Sequence, residues 1–225
     1  MRLGELTEAR SNPDKNIKYN SGVEELQAKI HKLGRKVHPW LSGVSMTRIP
    51  KLGINPKTNV TEESPMGIYF YPLWYFNEMV ANNRELPWGD NYLYLQFFTY
   101  SAPGDQTLVN PNRLDFKEVK QNLLKYVPEE VIQEVLDEKS YSDNYYLIYM
   151  CLQKHWLQTN EWNEIKAITL WNKILRDMGV LVLSDSGDSW IAPNEPVQGC
   201  ILDPRVIREH ITVRNYKRKK PNEIK

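Results

Sequence analysis

A run of amphipathic helices in the middle of the chain constrains the fold most. Between residues 112 and 178, apolar side chains recur every three or four positions, as they do along one face of an α-helix. The longest of these faces ends before Gly179 and consists of Trp162, Ile165, Ile168, Trp171, Ile174, Leu175 and Met178. Aromatic residues at this spacing are typical of a packed core. We therefore predict that residues 112–178 are helical, with the aromatic side chains of these apolar faces in the core.

The segments on either side of the helices have strand and loop character. Short apolar or alternating runs predict strands at residues 67–71, 92–98, 180–183, 189–191 and 197–202. Gly, Pro, Asn, Thr and Ser are frequent in residues 42–66, which are predicted to be mostly loop, and residues 184–187 are predicted to form a turn. Residues 73–82 are predicted to form a short helix, and residues 204–209 are predicted to form a short helical turn. The pattern as a whole indicates an α+β fold with a helical insertion.

The length, charge and cysteine content of the chain exclude several classes of protein. The chain has 225 residues and a formal charge of +1, from 29 basic and 28 acidic residues, so it lacks the field of a protein that binds nucleic acid over its whole surface. We predict a single domain, 1–225, with a basic tail at 214–225 that contains five Lys or Arg within seven positions.

Cys151 and Cys200 do not have metal-type spacing, which favours two buried, reduced thiols and no metal site.

No apolar run in the sequence approaches the length of a membrane span. The first thirty residues are polar and charged, without the apolar centre of a signal peptide. These features predict a cytoplasmic protein without a membrane partner.

Three motifs, in a fixed order along the chain, carry the candidate chemistry. The first is Val-His-Pro-Trp-Leu at residues 37–41, which contains His38, and the second is Gly-Ile-Tyr-Phe at residues 67–70, which contains Tyr69. The third is Glu-Pro-Val-Gln-Gly-Cys-Ile-Leu-Asp-Pro at residues 195–204, which contains Glu195 and Gln198. The order and spacing of the three motifs identify the pattern, more than any one of them does.

This arrangement resembles the ADP-ribosyltransferase fold, and is closest to the His-Tyr-Glu branch of diphtheria toxin and the poly(ADP-ribose) polymerases. The resemblance covers roughly residues 35–110 and 179–215 and leaves the helical middle unmatched. It implies a split β-sheet core and NAD⁺ as a substrate. It also implies that Tyr69 stacks on the nicotinamide and that His38 hydrogen-bonds the adenosine-side ribose. Pro39, Trp40 and a second aromatic residue, Tyr75 or Phe76, would complete the cofactor site.

Two positions depart from the pattern of that family. Pro39 stands where the family usually has glycine, and proline has no N–H with which to hold the nicotinamide carboxamide. Gln198 stands at the usual glutamate position, and an amide carries no negative charge to stabilise an oxocarbenium ion. The carboxylate is therefore expected at Glu195, three residues earlier. His38, Tyr69, Glu195 and Gln198 are the predicted catalytic residues.

The resemblance implies a mono-ADP-ribosyltransferase that modifies a protein or a nucleic acid. A role as a toxin or effector fits it, for instance in a toxin–antitoxin or phage-defence system with an antitoxin or chaperone as partner. An alternative is a catalytically degenerate member that serves as a phage, virion or host-interaction binding protein. A third is a nuclease-like toxin in which His38 and Glu195 act as acid and base, although nothing in the sequence brings these two together.

Overall fold

The computed structural model describes residues 42–47, 51–54, 64–76, 94–139, 141–159, 163–185, 190–191 and 198–214. Within these ranges the strands are β1 (Ser42–Thr47), β2 (Ile68–Pro72), β3 (Tyr94–Tyr100), β4 (Thr107–Leu108), β5 (Val182–Ser184), β6 (Gly199–Ile201) and β7 (Ile207–Arg214). The helices are α1 (Phe116–Leu123), α2 (Glu129–Glu138), α3 (Asn144–Gln158) and α4 (Glu164–Asp177). The predicted α+β class is confirmed, while the ADP-ribosyltransferase type of sheet stays a prediction.

The chain divides into two compact units. The first unit comprises residues 1–53, 69–101 and 205–225, and the second comprises residues 54–68 and 102–204. The first unit thus contains strands from both ends of the chain, and the second contains all four helices.

An antiparallel sheet forms most of the described part of the first unit. Strand β1 pairs with β2 on one side and with β3 on the other, and β3 pairs with β7. The aromatic side chains of β2 and β3 make its core: the ring of Phe70 lies 5.3 Å from that of Phe98 and 5.4 Å from that of Tyr100. Phe76 packs edge-on against Phe97. These contacts hold β2 and β3 on either side of β1.

Strand β1 corrects the prediction that residues 42–66 are mostly loop, which is wrong for residues 42–47. The small and polar residues that suggested a loop are buried here, and Val44 is fully buried. Gly43 lies opposite Phe98 in the sheet, so the absence of its side chain leaves room for the flanking rings of Phe70 and Phe98. The strand is defined by pairing on both edges, which local composition does not reveal.

The prediction of a short helical turn at residues 204–209 is confirmed for residues 204–206 and wrong for residues 207–209, which belong to strand β7. A 3-10 turn covers only Pro204–Val206, and residues 207–214 are extended. A partly buried polar contact stabilises their register: Thr212 Oγ1 donates a hydrogen bond of 2.6 Å to Oε1 of Gln96, which is fully buried in β3. Polar side chains interrupt the apolar pattern of this strand at Arg208 and His210, which are both exposed.

Gly43→Ala is expected to destabilise the protein by about 2 kcal/mol, because overpacking a filled core costs about 1–3 kcal/mol. A Cβ at this position would lie 2.8 Å from Cζ of Phe98 and closer still to the ring of Phe70. The free energy of unfolding in urea measures the effect. Gly104→Ala is the matched control, since nothing lies within 4 Å of a Cβ built there. Equal stabilities of the two variants would contradict the assigned packing of β1.

The second unit contains a small sheet and the four helices. Strand β5 pairs in parallel with β4 and antiparallel with β6. Three helices begin at side chains that accept a hydrogen bond from the backbone of the first turn: Asp115 for α1, Asp143 for α3 and Asn163 for α4. The predicted helical character is confirmed for the described residues between Phe116 and Asp177, apart from the connecting turns.

Helix α4 holds the chain segment that leads into β2. The backbone N–H of Met66 donates to the carbonyl of Ile168 at 3.1 Å. Nδ2 of Asn172 donates to the carbonyl of Met66 and, at 3.2 Å, to that of Leu202. One buried amide therefore joins α4 to the residue before Gly67 and to the end of β6.

Over the described residues, the remaining strand predictions are confirmed to within two residues at the strand ends, with one exception. Trp190 and Ile191 are not in a strand, so the prediction for residues 189–191 is wrong at these two positions. Instead, the backbone of Ile191 is bonded to the side chains of Ser64 and Asp185. Residues 73–76 are helical as predicted, and residues 77–82 lie outside the described part of the chain.

Candidate functional site

The predicted site residues fall into three groups. His38, Pro39, Trp40 and Glu195 lie outside the described residues. Tyr69 and Tyr75 belong to the first unit, and Gln198 belongs to the second.

Tyr69 is the one residue of β2 that is not buried. Ile68 is 1% exposed, Phe70 and Tyr71 are each 3% exposed, and Pro72 is buried, whereas Tyr69 is half-buried. Its backbone is fixed by a strand whose other side chains form the core. A half-buried tyrosine on a rigid strand presents an aromatic surface at little entropic cost, which suits the stacking of a flat ligand.

Tyr75 and Phe76, the two candidates for the second aromatic residue, differ in environment. Phe76 is fully buried, with its ring 5.6 Å from that of Phe97. Tyr75 is half-buried, with its ring 6.0 Å from Tyr71 and 5.6 Å from Trp74. Phe76 is thus a core residue, whereas the side chain of Tyr75 is partly exposed and could contact a ligand.

Gln198 is buried immediately before β6. Gln198 is only 9% exposed. Its Oε1 atom accepts no hydrogen bond from the part of the protein that the structure describes. Its backbone carbonyl accepts a hydrogen bond of 2.8 Å from the N–H of Asp185. A buried acceptor without a donor is costly, about 1–3 kcal/mol, so such atoms in proteins call for a functional or structural explanation.

Asp185 is a candidate that sequence reasoning missed. It follows β5 directly and lies opposite Gln198, because β5 and β6 pair Ser184 with Gly199 at the preceding position. It is fully buried, and its Oδ2 atom accepts a hydrogen bond of 3.4 Å from the N–H of Ile191. In the sequence, an aspartate among Ser and Gly residues is typical of a turn. Only the strand register shows that it neighbours Gln198.

Ser64 extends this buried polar group. It is fully buried, and its Oγ donates a hydrogen bond of 2.7 Å to the carbonyl of Ile191. Both backbone groups of Ile191 are therefore bonded to side chains, which fixes residues 190–191 beside Asp185. Such a fixed environment keeps a carboxylate in one orientation.

An aromatic cluster forms the core of the same unit. The ring of Tyr145 lies 4.7 Å from that of Trp171 and 5.2 Å, edge to face, from that of Trp190. Burial, followed by the nearby Cys200, raises the pKa of Tyr145 well above its usual value. The hydroxyl of Tyr145 thus stays protonated and serves the core rather than acid–base chemistry.

Both cysteines are buried, as predicted, and neither forms a disulfide. Burial raises the pKa of the Cys151 thiol to about 12, an effect that the nearby Lys154 only partly offsets. A thiol with so high a pKa is protonated at neutral pH and is a poor nucleophile. Cys151 is therefore a structural residue.

The ranges that the structure describes contain no group of three or more His, Cys, Asp or Glu side chains able to hold a metal ion. None of the helices in those ranges combines the length and the apolar character needed to span a bilayer. Comparison with known proteins yields no match: no family model, no curated protein and no solved structure is significantly similar to this chain.

Proposed function

We propose that this protein binds NAD⁺ and transfers its ADP-ribose to a macromolecular acceptor, a protein or a nucleic acid. The observation that carries the proposal is Tyr69, a half-buried aromatic residue in a strand whose other residues are all buried. A tyrosine face that stacks on the nicotinamide cation contributes about 1 kcal/mol, and more where water is excluded. A toxin or phage-defence effector in the cytoplasm, with an antitoxin or chaperone as partner, is part of the same proposal.

The reaction requires two further properties of the site. The bond between C1′ of the ribose and the nicotinamide nitrogen breaks, and its electron pair leaves with nicotinamide. The ribose then carries positive charge, which a nearby carboxylate stabilises until the acceptor nucleophile attacks C1′ and loses its proton. His38 and Glu195 remain the candidates for ribose binding and for this charge, with Gln198 at the position that the family resemblance gives to glutamate.

A catalytically degenerate binding protein is the second candidate. Two observations favour it: Gln198 is an uncharged amide that is only 9% exposed, and Pro39 has no N–H to hold the carboxamide. Such a protein would still bind NAD⁺ or a related nucleotide but would not cleave it.

Tyr69→Ala is expected to weaken NAD⁺ binding about tenfold, since 1.4 kcal/mol corresponds to a factor of ten. Isothermal titration calorimetry measures the affinity. Tyr69→Phe keeps the ring and should bind within about twofold of the wild type, as the stacking surface is unchanged. Tyr94→Ala is the matched control, because Tyr94 is also a half-buried tyrosine of the same sheet.

Incubation with labelled NAD⁺ and cell lysate separates the two candidate functions. Transfer of label to material that is sensitive to protease or to nuclease supports the transferase and identifies the acceptor class. Binding without transfer or hydrolysis of NAD⁺ favours the degenerate protein. If the wild type does not bind NAD⁺, or if Tyr69→Ala binds as well as Tyr94→Ala, the proposed role of Tyr69 is wrong.

A further inference from the structure

We infer that the groove between α2 and α3 is a docking site for a basic, amphipathic helix of a partner protein. Both helices belong to the second unit, so the groove is formed within that unit alone. The site goes beyond the proposed function, and its occupation does not depend on NAD⁺.

The floor of the groove is apolar. Val135 of α2 and the side chains of Met150 and Leu157 of α3 line an open groove with a volume of about 410 Å³. Val135 is buried and Met150 is half-buried, whereas Leu157 is the most exposed large apolar side chain in the described part of the chain. Methionine adapts its shape to an apolar group that packs on it. The floor therefore suits the apolar anchor side chains of a partner.

The groove follows the direction of α3. Met150 and Leu157 are seven residues apart, so they lie on the same face of the helix, two turns and about 10 Å from each other. Gln153 and Lys154 line the groove between them. A helix that lies along such a groove inserts apolar side chains spaced by three, four or seven residues.

An acidic stripe runs along α2 beside this floor. Glu130, Glu134, Asp137 and Glu138 have the spacing of one helix face, and all four are exposed. Glu138 also lines the groove. Helix α2 contains neither Lys nor Arg, so the border that it gives to the groove is negative.

Lys154, the one cation among the residues that line the groove, does not balance the stripe. Its Nζ atom donates a hydrogen bond to Glu138 and lies 3.2 Å from Oε2 of Glu134. One positive charge is thus shared by two carboxylates. Glu130 and Asp137 form no ion pair with the part of the chain that the structure describes. These two carboxylates are available to cations of a partner.

The sign of the charge decides the class of partner. A nucleic acid or an anionic membrane surface would be repelled by the stripe, since both present negative charge. Lys or Arg side chains beside the apolar anchors of a helix would instead lie opposite the exposed carboxylates, and such complementarity directs association. An apolar floor with an acidic border therefore fits a helix that is apolar on one face and basic beside it.

Two synthetic helices test the charge of the occupant. The probe is a fluorescein-labelled peptide of about 18 residues with Leu on one face and Lys on the other, which makes about five helical turns. The comparison peptide has Glu in place of every Lys. Fluorescence anisotropy with the full chain measures both affinities. We expect the basic peptide to bind at least about tenfold more tightly than the acidic one, and to lose affinity as salt is added.

Leu157→Ala tests the apolar floor. It should weaken binding of the basic peptide about fivefold, because it shortens an anchor contact at the centre of the interface. Leu124→Ala is the matched control, since Leu124 is also an exposed leucine of the second unit but does not line the groove. Its affinity should stay within about twofold of the wild type. Thermal unfolding verifies that both variants are folded.

Asp137→Lys tests the acidic stripe. It should weaken binding of the basic peptide about fivefold and strengthen binding of the acidic one, because it reverses one charge of the stripe. Asp105→Lys is the control, as Asp105 is an exposed aspartate of the same unit that does not line the groove. It changes the net charge equally, and its affinities should stay within about twofold of the wild type.

Four results would overturn the assignment. The first is no binding of the basic peptide at about 100 μM protein, and the second is equal affinity for the two peptides. The third is an equal loss of affinity in each variant and its control. The fourth is self-association of the wild type, measured by sedimentation, that Leu157→Ala abolishes, since it would make a second copy of this chain the occupant. A protein that fails to cleave NAD⁺ would reject the transferase and leave this docking site standing.

Discussion

Trp171→Ala is expected to lower the free energy of unfolding by about 4 kcal/mol, since removing a buried Trp or Phe side chain costs about 3–5 kcal/mol. Trp171 is fully buried in α4. Its ring lies 4.7 Å from that of Tyr145 and stacks on that of Tyr149 at 5.1 Å. These partners extend from α3, so the substitution leaves a cavity at the contact between two helices.

Trp171→Phe separates the packing of the ring from its polar atom. Nε1 of Trp171 is buried and has no hydrogen-bond partner among the described residues, so its removal relieves an unsatisfied donor. We expect a cost of about 2 kcal/mol, well below that of alanine, from the smaller ring. Urea denaturation monitored by circular dichroism measures both variants. Leu157→Ala is the control, because Leu157 is 56% exposed, and its cost should be about 0.5 kcal/mol or less.

A cost below about 1 kcal/mol for Trp171→Ala would contradict the central packing of Trp171, since core truncations of this size exceed it. It would mean that the four-helix part of the second unit does not depend on this residue.

Gly67→Ala is expected to destabilise the protein by about 3 kcal/mol, at the upper end of overpacking costs. A Cβ at Gly67 would lie 2.8 Å from the carbonyl oxygen of Ile201 and would overlap Sγ of Cys200. Both of these atoms belong to β6. The clash differs from that at Gly43, where the neighbours are aromatic side chains that can shift, because a carbonyl oxygen of a paired strand cannot turn away.

The double variant Gly67→Ala with Cys200→Ala tests the cause of this effect. Removing Sγ should give a favourable coupling of about 1 kcal/mol in a double-mutant cycle, because the carbonyl clash remains. Purely additive costs would show that Cys200 does not limit the space at Gly67. The cycle is measured by urea denaturation, with Cys200→Ala alone as the required single variant.

The helices are the elements that the sequence predicts best. In α3 and α4, apolar side chains such as Tyr145, Ile148, Ile168 and Trp171 recur at helical spacing, and all four are fully buried. The capping side chain Asn163 is adjacent in sequence to the helix that it begins. The information that specifies these elements lies within about four residues of each position, so a single sequence contains it.

The strands are predicted less well because their partners are distant in the chain. Strand β1 consists largely of small and polar residues, and its identity depends on β2 and β3 on either side. Strand β7 pairs with β3 across more than 100 residues, with Thr212 bonded to Gln96. No local pattern encodes such a pairing, since the hydrogen-bonding groups of any backbone are the same.

The candidate site shows the same division. The sequence alone singled out Tyr69 and Gln198 by residue type and by their order along the chain, and it fixed the helical core through local periodicity. The tertiary structure decided that Tyr69 is half-buried while its neighbours are buried, and that Phe76 belongs to the core. It also decided that Asp185 lies opposite Gln198. Residue type and periodicity are local properties, whereas burial and strand register depend on contacts between residues far apart in the chain.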